Sequence, residues 1–217
     1  MMITAITKFS NFQIFKSVFP VTWNIRTNEK ILFLTFDDGP IPEVTPWVLD
    51  ALQKYHAKAT FFCIGENVSK YPDVYSQIAE QGHAIGNHTY NHLNGWKIKT
   101  KSYLDNIGLC ENVLKLETRN LELETRKLLF RPPYGKISPS QISSLKSKYS
   151  IILWDVLSKD WKENLTGDQC FERIRRKSKP GSIIVFHDSL KAEKRMKPAL
   201  LSTLDYFSGQ GYSFEGL

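Results

Sequence analysis

Short apolar runs alternate along this chain with stretches whose apolar residues recur every three or four positions. The runs ILFLTF (31–36), KATFFCIG (58–65), HAIGNH (83–88), LLFRPP (128–133), SIILWDV (150–156) and SIIVFHD (182–188) have the length and residue types of strands. Helical spacing between them predicts helices over 45–55, 75–81, about 102–127, 139–148, 167–179 and 196–209. Thr45 is expected as an N-cap with Pro46 in the first helical position, and Gly82 as a stop. Strands separated by helices predict an α/β fold with a parallel sheet, open or closed into a β/α barrel. No long linker divides the chain, so one domain is expected over 29–217, with an N-terminal segment, 1–28, packed on it. In the longest helix LETRNLE (116–122) is followed by LETRKLL (123–129). Two heptads are too few for a coiled coil, so this reads as a helix with Glu and Arg on its wet face.

Composition narrows the picture modestly. The 217 residues are 41% apolar and 12% aromatic, which suits a folded core. The net charge of +7 could favour an acidic polymer, a nucleic acid or an anionic membrane. The basic residues are scattered, however, and Arg173, Arg175, Arg176, Lys177 and Lys179 read as a solvated helix face. No nucleic-acid module motif is visible, so nucleic acid is not expected as a partner. Cys63, Cys110 and Cys170 form no C-x-x-C pair and read as small buried hydrophobes. No stretch approaches the roughly 20 apolar residues of a membrane span. Phe12, Phe15 and Phe19 fall at helical spacing in a poor signal peptide. A cytoplasmic or membrane-associated location is therefore expected, with membrane-surface contact possible through that segment.

The polar residues collect in one kind of place. Asp37, Asp38, His88, Arg131, the stretch from Asp155 to Asp160, and His187 all fall at or after the C-terminal end of a predicted strand, the edge where parallel α/β folds build active sites. TFDDGP (35–40) sets two carboxylates side by side after a buried run, which calls for a compensating cation. HTYNH (88–92) supplies two of the five histidines four residues apart, facing one side if the turn is helical. With one carboxylate of TFDDGP they make a His-His-Asp set suited to zinc or another divalent first-row metal. The second carboxylate is then free to act as a base, and Arg131 is placed to hold it ionised. His187 points at the same edge as a candidate general acid, with Asp160 available to orient it. His56 reads as surface and His83 as structural.

TFDDGP, HTYNH, RPPYG (131–135), WDVLSKDW (154–161) and VFHD (185–188) occur in the order found in polysaccharide deacetylases, the NodB-homology group or carbohydrate esterase family four, and the chain resembles that family over about residues 30–190. The resemblance implies an irregular (β/α) barrel with outer helices. It implies Asp37 as base, with Asp38, His88 and His92 as ligands of a divalent metal, Zn2+ first and Co2+, Ni2+ or Mn2+ next. Arg131 matches the arginine that tethers the base, and Tyr134 the tyrosine whose backbone N–H helps form an oxyanion hole. Asp160 matches the aspartate that tunes the acid, and His187 the acid itself. Trp161 and Val185 match positions that line the pocket for the acetyl methyl group, and Pro133 a substrate-binding position. Two positions depart from the pattern: Leu157 stands where the fourth motif has Asp, and Val185 where the fifth has Leu. The implied activity is removal of N-acetyl groups from a glycan containing N-acetylglucosamine, of chitin-oligomer or peptidoglycan type. A deacylase for another amide or an O-acetylated sugar, and a non-catalytic glycan-binding domain, are the alternatives.

Overall fold

The computed structural model of the chain describes residues 20–117 and 128–217. Strands β1 (Val21–Thr22), β2 (Ile31–Asp37), β3 (Ala59–Cys63), β4 (Ala84–Asn87), β5 (Leu128–Phe130), β6 (Tyr149–Ile152), β7 (Val156–Leu157) and β8 (Ile183–His187) form a sheet in the order β1-β6-β5-β4-β3-β2-β8-β7, every pairing parallel. A short β9 (Ser213–Phe214) pairs with the start of β2. Seven helices accompany them among the described residues: α1 (Thr45–Lys54), α2 (Gly65–Lys70), α3 (Pro72–Glu80), α4 (Thr100–Glu117), α5 (Pro139–Leu145), α6 (Gly167–Lys177) and α7 (Glu193–Gly209).

The strands read as continuous apolar runs because both their faces are covered. On one face Phe36 stacks with Phe61 and Phe186, at centroid distances of 5.0 and 5.7 Å, in a core that also takes Val48, Leu52, Met196 and Leu204 from α1 and α7. On the other, Phe33, Phe62, Ile152 and Ile183 pack together inside the curl of the sheet. This is the expected irregular (β/α) barrel.

One predicted strand proves to be two. SIILWDV gives β6, beside β5, and β7, beside β8 at the far end of the sheet. The intervening Leu153-Trp154-Asp155 carries the chain across. Asp155 is held there by the Ser182 hydroxyl (3.0 Å) and the Ile183 N–H (2.9 Å), at the start of β8 rather than its end. It therefore lies away from the strand ends where the sequence pattern grouped it. The chain after β1 also reaches the start of β8, through a bridge between Asn24 and Ser182. These two crossings draw the sheet ends together.

Other expectations are refined. Sequence spacing missed α2, and α3 starts at Pro72 rather than at 75. The long helix α4 is described to Glu117, and its expected continuation, with most of the heptad pair, lies outside the described residues, as does the Phe12–Phe19 stripe. All three cysteines are buried and free, and His56 is exposed. His83 is structural: its Nδ1 accepts the Ala59 N–H, and burial pushes its pKa down to about 4.

Candidate active site

β2 and β8 run side by side with Thr35 opposite Val185 and Asp37 opposite His187. Residues two apart on a strand share a face, so these four line one side of the strand pair as it ends. Asp37 is buried and meets Arg131 at 2.7 Å, Nη1 to Oδ1. Arg131 follows β5 and is itself wholly buried. Its guanidinium also donates to Thr35 Oγ1 (2.7 Å) and to the carbonyls of Ile152 (3.3 Å) and Leu153 (3.1 Å), and it lies 4.1 Å from the Phe62 ring centroid. Burial alone would raise the pKa of Asp37. Arg131, His88 and His187 outweigh burial and hold it below the ordinary carboxylate value.

The chain leaves strand geometry at Asp38, whose φ is 85°. Its carbonyl accepts Asn67 Nδ2 at 2.7 Å, which fixes the turn. Gly39 is required for a different reason. A Cβ there would fall 2.0 Å from Asp188 Oδ2. Asp188 is fully buried and accepts the Gly39 N–H (3.0 Å) on Oδ1 and the Thr45 hydroxyl (2.6 Å) on Oδ2. Thr45 Oγ1 in turn accepts the Ile41 N–H, and Val44 takes the N-cap position expected for Thr45. Burial pushes the Asp188 pKa up to about 8.

HTYNH is not on a helical turn. Thr89 and His92 have φ of 65° and 53°. The loop is held by side chains instead: Asn106 Oδ1 accepts the N–H groups of Tyr90 and Asn91, Asn87 Oδ1 that of Thr89, and Thr89 Oγ1 that of Leu93. The result still converges. His92 Nε2 lies 3.3 Å and His88 Nε2 3.8 Å from Asp38 Oδ1, and the three groups can offer ligand atoms all within 4.8 Å of one another. His88 Nδ1 sits 2.8 Å from the Arg131 carbonyl, which can only accept, so Nδ1 carries the proton and the Nε2 lone pair faces Asp38. Burial pushes the His88 pKa down to about 4, keeping the ring neutral as a ligand must be. Two imidazole nitrogens and one carboxylate fit a catalytic divalent-metal site with open positions.

His187 Nδ1 lies 2.8 Å from Asp160 Oδ1, and its backbone N–H donates to Asp160 Oδ2 at 2.8 Å. Burial opposes the charged ring, but the Asp160 carboxylate, with smaller help from Asp38 and Asp37, raises its pKa to about 9. Trp161 meets the His187 ring edge-on at 4.8 Å. Val185 is buried two residues before His187 and pairs with Leu157 of β7. Pro133 and Tyr134 form a tight turn two residues after Arg131, and the exposed Tyr134 ring lies 4.6 Å from His92. Apart from Asp155, the residues grouped from sequence gather here. Sequence reading gave no role to Asp188, Asn67, Asn106 or Thr35. Only Asp188 carried a signal, as a second charged residue at the end of an apolar strand.

The family model for polysaccharide deacetylase matches residues 24–148. A peptidoglycan-N-acetylglucosamine deacetylase of Bacillus cereus is 37% identical over 201 residues, covering 89% of each chain. A second B. cereus protein of the same description is 38% identical over 163 residues, which are 75% of this chain but 57% of that one. The crystal structure of the Bc1960 peptidoglycan N-acetylglucosamine deacetylase superposes with a TM-score of 0.83 at 32% identity, covering 92% of this chain and 91% of that one.

Proposed function

The chain belongs to the polysaccharide deacetylase family, and from that premise we propose that it is a metal-dependent hydrolase removing N-acetyl groups from a glycan that contains N-acetylglucosamine. The observation that carries this reading is the register of β2 against β8. It sets a tethered carboxylate, Asp37, opposite a carboxylate-paired imidazole, His187, while the next residue, Asp38, joins His88 and His92 in the ligand set.

Asp38, His88 and His92 would hold the metal, for which zinc suits the donor set best. When bound, a divalent ion polarises a carbonyl and acidifies water at its open position. Asp37, kept ionised by Arg131, accepts the proton of the attacking water. The Tyr134 backbone N–H is the donor assigned to the developing oxyanion. His187, charged through its bond to Asp160, gives a proton to the departing amine. The presence of both base and acid argues against a binding-only domain.

Acetate release from N-acetylated chitin oligomers and peptidoglycan fragments, measured before and after chelation and metal return, tests this. Turnover should vanish with chelator and return with zinc or cobalt. Full activity in a preparation shown by elemental analysis to be metal-free would overturn it.

A further inference from the structure

Trp96 combines exposure with a fixed position. The residue is 64% exposed, yet the indole N–H donates to the Ile137 carbonyl at 3.0 Å and the Lys136 ammonium sits over the ring, 3.9 Å from its centroid. The segments around it are locked. A Cβ on Gly95 would fall 2.5 Å from the Lys136 carbonyl oxygen, and Gln141 Nε2 donates to the Gly95 carbonyl at 2.8 Å. An aromatic face held in place loses little freedom when a ligand covers it. The position is also informative. Trp96 is four residues past His92, and Lys136 two past Tyr134, whose exposed ring touches His92. Trp96 and Lys136 thus sit on the two chain segments that lead away from His92 and Tyr134, and Lys97 and Lys99 are exposed on the first of them.

We propose that Trp96 and Lys136 form a subsite for a sugar neighbouring the one deacetylated, and that the sugar taken there carries a carboxylate. This rests on the deacetylase reading. The C–H face of a pyranose is apolar and covers an indole well, while its rim needs hydrogen bonds. The Lys136 ammonium lies over one face of the indole, so a sugar covering the opposite face would meet it at the ring's edge, as a charge-assisted donor of the sign that selects a carboxylate. The chain's net charge of +7 adds attraction for an acidic polymer. A neutral glycan would use the indole and leave the ammonium with the ring alone.

The test is calorimetric binding of two probes to the intact metal-loaded protein: a neutral chitin tetramer, and a peptidoglycan glycan fragment of equal length with free carboxylates. Trp96→Ala should weaken both roughly tenfold, and Trp96→Phe, which keeps a ring, should fall between. Lys136→Gln should weaken the carboxylated fragment roughly tenfold more than the neutral one. Added salt should erode the same difference. Wild-type affinity of every variant for both probes, or an equal loss on both for Lys136→Gln, would overturn the subsite. Acetate release measured alongside separates the two ideas. Variant losses as stated without any acetate would leave the subsite standing and sink the reaction. Acetate released with unchanged KM in Trp96→Ala and Lys136→Gln would do the reverse.

Discussion

Asp37 at the strand ends and Glu111 on α4 are both carboxylates buried against a permanently charged side chain. Glu111 has both oxygens taken: Oε1 by Lys115 at 2.8 Å, and Oε2 by Lys148 at 2.7 Å and by the Tyr149 hydroxyl. Asp155, Asp160 and Asp188 are saturated in the same way, each with a hydrogen bond on either oxygen. Asp37 differs. Among the described residues Arg131 takes its Oδ1, and its side chain faces His88 and His187 across the strand ends. A carboxylate with both oxygens bound is a fixture. One anchored at a single oxygen, inside a pair it cannot leave, has a lone pair for a proton. The partners differ too. Arg131 is wholly buried and fans out to four acceptors, whereas the Lys115 and Lys148 side chains are more than half exposed.

The sharpest way to break that contrast is to remove each charge and read the rate. Asp37→Asn should keep its metal and lose roughly 10²–10⁴-fold in kcat, the usual worth of a general base. Asp38→Asn should instead lower metal content, since a neutral amide is a poor ligand. Metal lost from Asp37→Asn and kept by Asp38→Asn would mean that the two roles are exchanged. Stability adds a second reading. Crowding of two like charges in TFDDGP suggests that Asp37→Asn would be the more stable chain. The buried Arg131 reverses that sign, because the substitution strips its anion.

Removing the cation is the next largest effect. Arg131→Met leaves Asp37 buried without a partner and frees the Ile152 and Leu153 carbonyls, at the point where the chain crosses from β6 to β7. Breaking one side of a buried pair costs about 3–5 kcal/mol, so urea unfolding should show a loss of that order. Arg131→Lys should recover only part of it, since one ammonium cannot reach four acceptors in a plane. A loss below about 1 kcal/mol would place Arg131 with the screened surface pairs.

Much of this site was legible because strand ends in a parallel fold converge, so Asp37, His88, Arg131 and His187 could be grouped from the positions of apolar runs alone. The illegible part has two physical causes. Asp155 was misplaced because Ile151 to Trp154 is an unbroken apolar run, and nothing in period or composition marks the crossing at Leu153. The conformation of the histidine loop stayed open because its geometry is imposed from outside, by Asn106 on α4 and Asn87 on β4. An i, i+4 pair on a helix and one in a side-chain-braced loop look identical in sequence. Nor does sequence show that the positive φ of this turn belongs to Asp38 while Gly39 serves the close approach of Asp188.

The smallest expected effect sharpens the comparison from the structural side. Burial opposes the Glu111 charge, but its bonds from Lys115, Lys148 and Tyr149 bring the pKa down to about 2. A carboxylate depressed in the folded chain stabilises it fully above the unfolded value, near 4.5, and that contribution is lost as pH falls toward about 2. Both lysines are more than half exposed, so screening trims the contribution to about 1–2 kcal/mol. Glu111→Gln should therefore be less stable than the parent at about pH 6.5, by an amount that shrinks by about pH 3 and with added salt. Asp37 titrates with the same sign in both chains, so the difference between them isolates Glu111. Turnover of Glu111→Gln should stay within about twofold of the parent, since both oxygens of the carboxylate are already engaged and none serves the reaction. A stability gap that ignores pH would mean that the charge contributes nothing and packing accounts for the loss. A rate loss approaching that of Asp37→Asn would end the distinction between a saturated carboxylate and one anchored at a single oxygen.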